Sequence, residues 1–306
     1  MSSAPRSSHT PEPGYTTVAY GGVDVLVGER RGAYPYGNSL LVHGSTSSLV
    51  VDPSLSLVAA APPADVVLVS HAHEDHIAGL GRYDDVPVHA HTADLDGLRS
   101  REQLIAGLGL LPEAVPEIER LLRENFHVRG RPDAKGFDDG VVFDLGGRTV
   151  TVVHLPGHTA GHCGFLIEPD GFLFLADIDL TSFGPYYGDL GSSLGDFEAS
   201  MRLCAEIDAR WYGTSHQKGV IEGPEEFRRR LAAFAEVVER RDAALLAYAA
   251  EPRTVAEIAE HRLVYRPHVE APQVRSVELR TARQHLDRLL AAGRVEEVEP
   301  GRFRSR

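Results

Sequence analysis

Short apolar runs bounded by turn residues fill the first third of the chain. Each run is rich in valine, leucine or tyrosine, the composition and length typical of β-strands. The runs are YTTVAYG, VDVLVG, NSLLVHG, SLVVDPS, VVLVS and PVHAHT. The pattern therefore predicts a first set of strands between residues 15 and 92.

The periodicity changes to a helical one over residues 101–125. Leucine and isoleucine recur there at the spacing of a helix face, interrupted by Pro112 and Pro116. The segment is predicted to be a helical insert or lid.

A second set of strand-like runs follows the insert. It consists of VVFDLG, TVTVVHLPGH, CGFLIEP and GFLFLADIDL. Two β-rich halves with helices between them predict an α+β fold in which two sheets pack together and helices cover their outer faces.

The pattern changes again at Pro224, where a long helical composition begins and continues to Pro252. Thr254 and Glu257 have the spacing of a capping box that opens a short helix. A third helix over residues 274–292 and a terminal hairpin complete the segment. The predicted organisation is a disordered N-terminus at 1–14, a large β-rich domain at 15–222 and a small winged-helix-like C-terminal domain at 223–306.

Composition indicates a globular chain with a large core, since 42% of the 306 residues are hydrophobic. No apolar run reaches the ~20 residues of a membrane span, and the first residues do not resemble a secretory signal. We therefore expect a cytoplasmic protein without a membrane partner. Cys163 and Cys204 follow no ligand spacing, so any metal is expected to be held by nitrogen and oxygen.

The formal net charge of −13 disfavours a polyanionic partner and favours a small-molecule substrate. From Glu251 onward, however, 11 arginines stand against 9 acidic residues. These arginines keep nucleic-acid binding by the C-terminal module open, although packing or homodimer formation is the simpler role.

The run HAHEDH directly follows the apolar stretch VVLVS. His71 and His73 are two residues apart, so both point to one side of an extended chain, whereas Asp75 and His76 lie about a turn further on. One short loop could therefore offer ligands to two neighbouring metal centres. Neutral imidazole and carboxylate are ligands that zinc, iron and manganese accept.

Three further candidate ligands emerge from later apolar runs. His158 stands in PGHTAGH, Asp177 in LFLADIDL and His216 in WYGTSHQKG. Each is a titratable group placed just after an apolar run, and together with HAHEDH they predict a metal site at one edge of the two sheets.

These motifs, in this order, resemble the metallo-β-lactamase superfamily over roughly residues 15–222. The resemblance implies a four-layer αββα sandwich with two divalent metal ions. It assigns His71, His73 and His158 to one ion and Asp75, His76 and His216 to the other, with Asp177 bridging them. Zinc is favoured, and iron or manganese is the alternative. Asp52 resembles a buried carboxylate that supports the ligands.

Two such ions can share a water and lower its pKa from 15.7 toward ~7, which gives hydroxide at neutral pH. Asp75 could also act as a proton shuttle. The leading hypothesis is a metallo-hydrolase acting on an ester, thioester or lactone of a small molecule. The alternatives are an endoribonuclease or phosphodiesterase of the same superfamily and an iron-dependent enzyme similar to persulfide dioxygenases.

Other positions remain open at this stage. Asp179 lies two residues after Asp177 and would share its face in a strand, although the small residue before Asp177 favours Asp177. Tyr186, Tyr187 and Lys218 are candidate substrate contacts because they follow ligand-bearing segments. Deleting residues 251–306 is expected to leave the metal ligands intact.

Overall fold

Two β-sheets form the centre of the computed structural model, which describes residues 14–306. The disorder predicted for residues 1–14 therefore lies, apart from Gly14, outside the described residues. The first sheet has seven strands in chain order. They are β1 (Tyr15–Tyr20), β2 (Val23–Gly28), β3 (Ser39–His43), β4 (Ser48–Val51), β5 (Val66–Val69), β6 (Val88–His91) and β7 (Lys135–Phe137).

The second sheet has six strands, in the order β13-β12-β11-β10-β9-β8. They are β8 (Val142–Asp144), β9 (Thr149–His154), β10 (Cys163–Glu168), β11 (Phe172–Phe174), β12 (Trp211–Gly213) and β13 (Val220–Glu222). The strand runs predicted from the sequence are confirmed. The sequence did not predict the three-residue strands β7, β12 and β13, because such short runs carry little periodicity.

The two sheets pack face to face through alternate apolar side chains. Leu40, Leu49 and Leu68 of the first sheet meet Phe165 and Phe174 of the second in one buried cluster. The opposite residues of the same strands are also buried, because helices cover both outer faces. The result is the four-layer helix–sheet–sheet–helix arrangement of the predicted α+β fold.

Helices form both outer layers of the sandwich. They are α1 (Glu29–Gly32, irregular), α2 (Glu74–Ile77), α3 (Leu95–Arg99), α4 (Arg101–Leu108), α5 (Val115–Glu124) and α6 (Leu194–Glu206). Pro116 lies in the first turn of α5, where its missing N–H has no helical partner to lose. The predicted helical insert at 101–125 is thus two helices that pack on the first sheet.

The C-terminal part contains α7 (Pro224–Tyr248), α8 (Val255–His261), α9 (Val274–Ala291) and the hairpin β14 (Val295–Glu299) and β15 (Arg302–Ser305). The capping box of Thr254 and Glu257 is present at the start of α8. One end of α7 packs in the core of the second sheet through Phe227, and the other packs with α8 and α9 through Leu245. This helix therefore belongs to both cores, and the winged-helix description of the module stays a prediction.

Among residues 14–306, no helix combines the length and the apolar character that crossing a bilayer requires.

Candidate metal centre

The candidate ligands lie on loops at the carboxyl ends of strands. His71 and His73 follow β5, His158 follows β9, Asp177 follows β11 and His216 follows β12. Strands β4 and β5 run parallel, as do β11 and β12, so their carboxyl ends meet at one edge of the sandwich. The structure therefore brings together all seven side chains that the sequence singled out.

Three imidazoles form the first cluster. His71 Nε2, His73 Nδ1 and His158 Nε2 face one another at distances of 3.0 to 3.2 Å. All three residues are buried. Three ring nitrogens around one point is the arrangement in which imidazoles hold a divalent metal.

Asp75, His76 and His216 form the second cluster. His216 Nε2 lies 3.3 Å from Asp75 Oδ2, and His76 Nε2 lies 3.7 Å from Asp75 Oδ1. Its composition differs from that of the first cluster because one ligand is a carboxylate.

Asp177 stands between the two clusters. Its Oδ1 lies 3.1 Å from His76 Nε2 and 3.5 Å from His216 Nε2, while its Oδ2 lies 3.4 Å from His158 Nε2. One carboxylate thus faces both groups with different oxygens. This placement is the one expected of a bridging ligand.

Each of the five histidines in the two clusters has its other ring nitrogen bonded to an acceptor outside the centre. The acceptors are Ser70 Oγ for His71, Asp189 for His73, Asp52 for His76, the Tyr186 carbonyl for His158 and the Gly32 carbonyl for His216. A neutral imidazole that donates from one nitrogen has a lone pair on the other. When these rings are neutral, as in a metal-bound state, the surrounding hydrogen bonds would direct five lone pairs into the centre, which is how proteins orient metal-binding histidines.

Two buried polar atoms in the centre lack a hydrogen-bond partner. They are His76 Nε2 and Asp177 Oδ1, which face each other but do not have the geometry of a hydrogen bond. Buried polar atoms are nearly always paired, so these two indicate a missing partner. A divalent cation fits, because the surrounding donors are nitrogen and carboxylate oxygen only.

The electrostatics of the second cluster favour positive charge. Burial alone would raise the pKa of Asp177, but His76 and His216 outweigh it and hold that pKa well below its usual range. Burial alone would likewise lower the pKa of His76, but Asp75 and Asp177 raise it well above its usual range. Without a cation the carboxylates are balanced by protons on the imidazoles, and a cation could replace those protons.

Asp52 supports this arrangement from beneath the loop that carries the ligands. The residue is fully buried, and its carboxylate accepts hydrogen bonds from the Ser70 amide, the Ser70 hydroxyl and His76 Nδ1 at 2.6, 2.6 and 2.9 Å. This geometry agrees with the supporting role expected for it.

Three residues at or next to the candidate centre have a left-handed backbone conformation. Asp52, Ala176 and Gln217 have φ of 50°, 45° and 43°, and the last two adjoin Asp177 and His216. Such conformations are uncommon for residues other than glycine and are often found at functional sites. They turn the chain sharply after a strand, so that the neighbouring side chain enters the centre.

The structure separates the three candidate substrate contacts. Tyr186 lies at the centre, with its ring centroid 5.5 Å from that of His158. Tyr187 does not, because its side chain is only 1% exposed and its hydroxyl bonds to His285 and Arg241. The expectation that Tyr187 contacts a substrate is corrected on that ground. Lys218 is exposed in the loop after His216, and its role stays a prediction.

Two functional carboxylates escaped the sequence reasoning. Asp189 accepts from His73 Nε2 at 2.5 Å. Asp94 accepts from the Ala72 amide, the Thr159 hydroxyl and the Gly161 amide, and so joins the loops that carry the first cluster. Neither belongs to a motif, although the polar run around Asp189 was a weak signal.

Replacing Asp52 with asparagine is expected to weaken metal binding by about 10- to 100-fold, the range for losing an outer hydrogen-bond partner of a ligand. Asparagine is neutral and has only one oxygen, so its side chain cannot replace the carboxylate as acceptor for all three donors. Metal competition titrations against a chromophoric chelator would measure the effect. Asp65→Asn is the matched control, since the Asp65 carboxylate also accepts from a serine amide and hydroxyl, but at an exposed site. Equal affinities in the two variants would contradict the prediction.

Comparison with known proteins agrees with this geometry. The family model described as "Metallo-beta-lactamase superfamily" matches residues 34–216, more than half of the chain. The chain belongs to the metallo-beta-lactamase superfamily. The matched region contains all seven candidate ligands.

Curated relatives of this superfamily member include named hydrolases. The Acyl-coenzyme A thioesterase MBLAC2 of Gallus gallus is 25% identical over 190 residues, which are 56% of this chain and 67% of that protein. The Hydroxyacylglutathione hydrolase of Acidiphilium cryptum is 27% identical over 228 residues, which are 69% of this chain and 73% of that protein.

Two solved structures share the fold of nearly the whole chain. A beta-lactamase domain protein from Burkholderia ambifaria aligns with a TM-score of 0.69 at 20% identity, covering 99% of this chain and 96% of that one. A metallo-beta-lactamase family protein from Thermus thermophilus aligns with a TM-score of 0.66 at 23% identity, covering 93% of this chain and 99% of that one.

Proposed function

We propose that this protein is a metal-dependent hydrolase that cleaves a thioester of a small molecule, using two divalent ions held by the two clusters. The observation that carries the proposal is the position of Asp177, whose two oxygens face both clusters within 3.5 Å. Asp177 lies between a group of three imidazoles and a group of two imidazoles and a carboxylate, a position suited to bridging two cations.

The choice of a thioester within the broader ester, thioester and lactone class draws on the relatives. One is named an acyl-coenzyme A thioesterase and another a hydroxyacylglutathione hydrolase. Both names describe hydrolysis at an acyl carbon, the reaction class that suits a metallo-hydrolase centre.

Two divalent ions in this centre would supply a water of lowered pKa and positive charge beside the scissile carbonyl. The residues of the chain have separate tasks. The outer hydrogen bonds hold the histidines in one tautomer, and Asp177 fixes the separation of the two clusters. Tyr186 lies beside the first cluster, where its ring can form one wall of the acyl pocket.

Asp75 is suited to accept a proton during the reaction. Burial alone would raise its pKa, but His76 and His216 outweigh burial and lower it, so the carboxylate is ionised at neutral pH. Its Oδ2 lies on the side of His216. The carboxylate is therefore in the form that can accept a proton, as the shuttle role expected from the sequence requires.

Zinc is the metal we propose, because five imidazoles and two carboxylates form a ligand set without thiolate that zinc accepts. Iron and manganese accept the same donors. An oxygen-dependent enzyme with a single iron would need only the first cluster. Metal identity and content per chain therefore distinguish the hydrolase from this alternative.

A nuclease role receives less support from the structure than from the sequence. Several arginines of the C-terminal module that an RNA-binding surface would use are paired within the chain. Arg283 pairs with Asp287, Arg288 with Glu198, Glu239 and Asp242, and Arg304 and Arg306 with Glu296. Homodimer formation by this module stays a prediction.

The test is a substrate panel with the metal-loaded protein. We expect release of free thiol from an acyl-coenzyme A and a hydroxyacylglutathione, with lower kcat/KM on a matched oxygen ester, a lactone and a phosphodiester. Dialysis against a chelator should lower thioester cleavage by about 10³-fold or more, and added zinc should restore it. Cleavage of the phosphodiester alone would contradict the proposal.

A further inference from the structure

Residues 183–189, here called the strap, lie between the candidate metal centre and the C-terminal helices. The strap follows the loop that carries Asp177 and contains both Tyr186 and Asp189. Some of its groups bond to histidines of the centre and others bond to the C-terminal helices, so the strap contacts both.

On the side of the metal centre, the strap orients two of the three histidines of the first cluster. The Tyr186 carbonyl accepts from His158 Nδ1 at 2.9 Å, and the Asp189 carboxylate accepts from His73 Nε2 at 2.5 Å. The Tyr186 hydroxyl also donates to Asp189 at 3.2 Å. The histidines of the second cluster have their acceptors elsewhere, at Asp52 and Gly32.

On the other side, helices α7 and α9 bond to four other carbonyls of the strap. Arg241 of α7 donates to the carbonyls of residues 183 and 185 at 2.9 and 2.5 Å. Gln284 of α9 donates to the carbonyl of residue 187 at 2.9 Å, and Arg280 donates to that of residue 188. Four of the seven strap carbonyls are thus held by these two helices.

The Tyr187 side chain anchors the strap in a buried polar network. Its hydroxyl lies 2.8 Å from His285 Nε2 and 2.9 Å from Arg241 Nη1, and His285 Nδ1 lies 2.5 Å from Asp242. His285 and Asp242 are almost completely buried. Buried polar groups of this kind are costly to leave unpaired, so the network allows the strap one position only.

We infer that Arg241, Arg280 and Gln284 are positioning residues for the first histidine cluster, acting through the strap on His73 and His158. The inference rests on the proposed function in that it assigns a metal ion to that cluster. It gives the C-terminal module a role at the centre that neither packing nor nucleic-acid binding describes. It also reverses the expectation that deleting residues 251–306 leaves the ligands intact, because α9 would be lost.

Gln284→Ala is the test variant, because Gln284 is only half-buried and its loss removes the donor to the strap. We expect binding of one metal ion to weaken by about tenfold, the lower end of the effect of an outer partner, and binding of the other to stay unchanged. Competition titrations resolve the two ions. Arg283→Ala is the matched control, since Arg283 is exposed on the same helix and pairs with Asp287 alone.

A second readout concerns the metal-free protein. Long-range proton–nitrogen correlation spectra report the ring tautomer of His158, and we expect mixed tautomers at this residue in Gln284→Ala but not in Arg283→Ala. Thermal unfolding shows whether each variant is folded. If Gln284→Ala does not fold, Gln284→Glu replaces it, because the carboxylate still accepts from the Leu194 amide but cannot donate to the strap.

Unchanged affinities and tautomers in a folded variant at Gln284 would overturn the inference, as would equal weakening of both ions, which indicates general loosening. Failure of the proposed function looks different. A wild-type protein that binds two ions and leaves thioesters intact contradicts the function and leaves the comparison of variants valid.

Discussion

Replacing Asp177 with asparagine should lower kcat/KM for the thioester by about 10³-fold or more, equivalent to about 4 kcal/mol of transition-state stabilisation. The amide removes the negative charge that faces both clusters. It also cannot offer two equivalent oxygens to His76 and His158, which lie on opposite sides of the carboxylate. Steady-state kinetics together with metal content per chain would measure the loss.

Asp179→Asn is the matched control, because Asp179 lies two residues after Asp177 and would share its face in an extended strand. In the structure the Asp179 carboxylate accepts from the Thr181 amide and hydroxyl, and burial raises its pKa to about 6. We expect kcat/KM to fall by no more than about tenfold, as for a residue beside the centre. A larger loss in Asp179→Asn than in Asp177→Asn would contradict the assignment of Asp177 as the bridging carboxylate.

Replacing His71 with alanine should lower kcat/KM by about 10²- to 10³-fold, with loss of one metal ion per chain. His71 belongs to the first cluster and also lies within ligand distance of His76 and Asp177, so its removal disturbs both groups. Burial lowers the pKa of His71 well below its usual range, which keeps a lone pair available for a metal. Metal analysis and kinetics on the same preparation would test this.

His91→Ala provides the comparison, since HAH occurs twice in the sequence with the same spacing. His91 stacks on His154 with ring centroids 3.9 Å apart, outside the two clusters. We expect wild-type metal content and activity within a few-fold. Normal activity in folded His71→Ala, with both ions retained, would contradict the assignment of the first cluster.

The strands and the seven ligand positions could be predicted from the sequence because both depend on local pattern. Apolar runs of strand length identified the sheets, and the order of His and Asp residues in short motifs pointed to one edge of the sandwich. Parallel neighbouring strands then bring those loops together. The strands and the meeting of the seven candidate side chains were therefore accessible from the sequence, and the four-layer fold followed from the resemblance that these motifs carry.

The support of the ligands could not be predicted, because it depends on contacts between distant residues. Asp189 lies 116 positions from His73, and Gln284 lies 97 positions from Tyr187. Tyr186 and Tyr187 are neighbours in sequence, yet one faces the centre and the other the C-terminal network. No periodicity distinguishes them, since the strap is irregular and its direction is set by α7 and α9.

The partners of the charged residues in the C-terminal module could not be predicted from the sequence either. The sequence counts arginines but does not reveal their partners, and the structure pairs Arg288 with three acidic side chains. The surplus of arginine suggested a nucleic-acid surface, whereas the structure shows several of these arginines in ion pairs within the chain.

The most direct test of the central claim is the metal content per chain, measured by mass spectrometry on protein purified without chelators or nickel resin. We predict two zinc ions per chain, lost together with thioesterase activity on dialysis against a chelator. A single iron per chain, unchanged in Asp177→Asn, would contradict the two-ion centre and the hydrolase built on it.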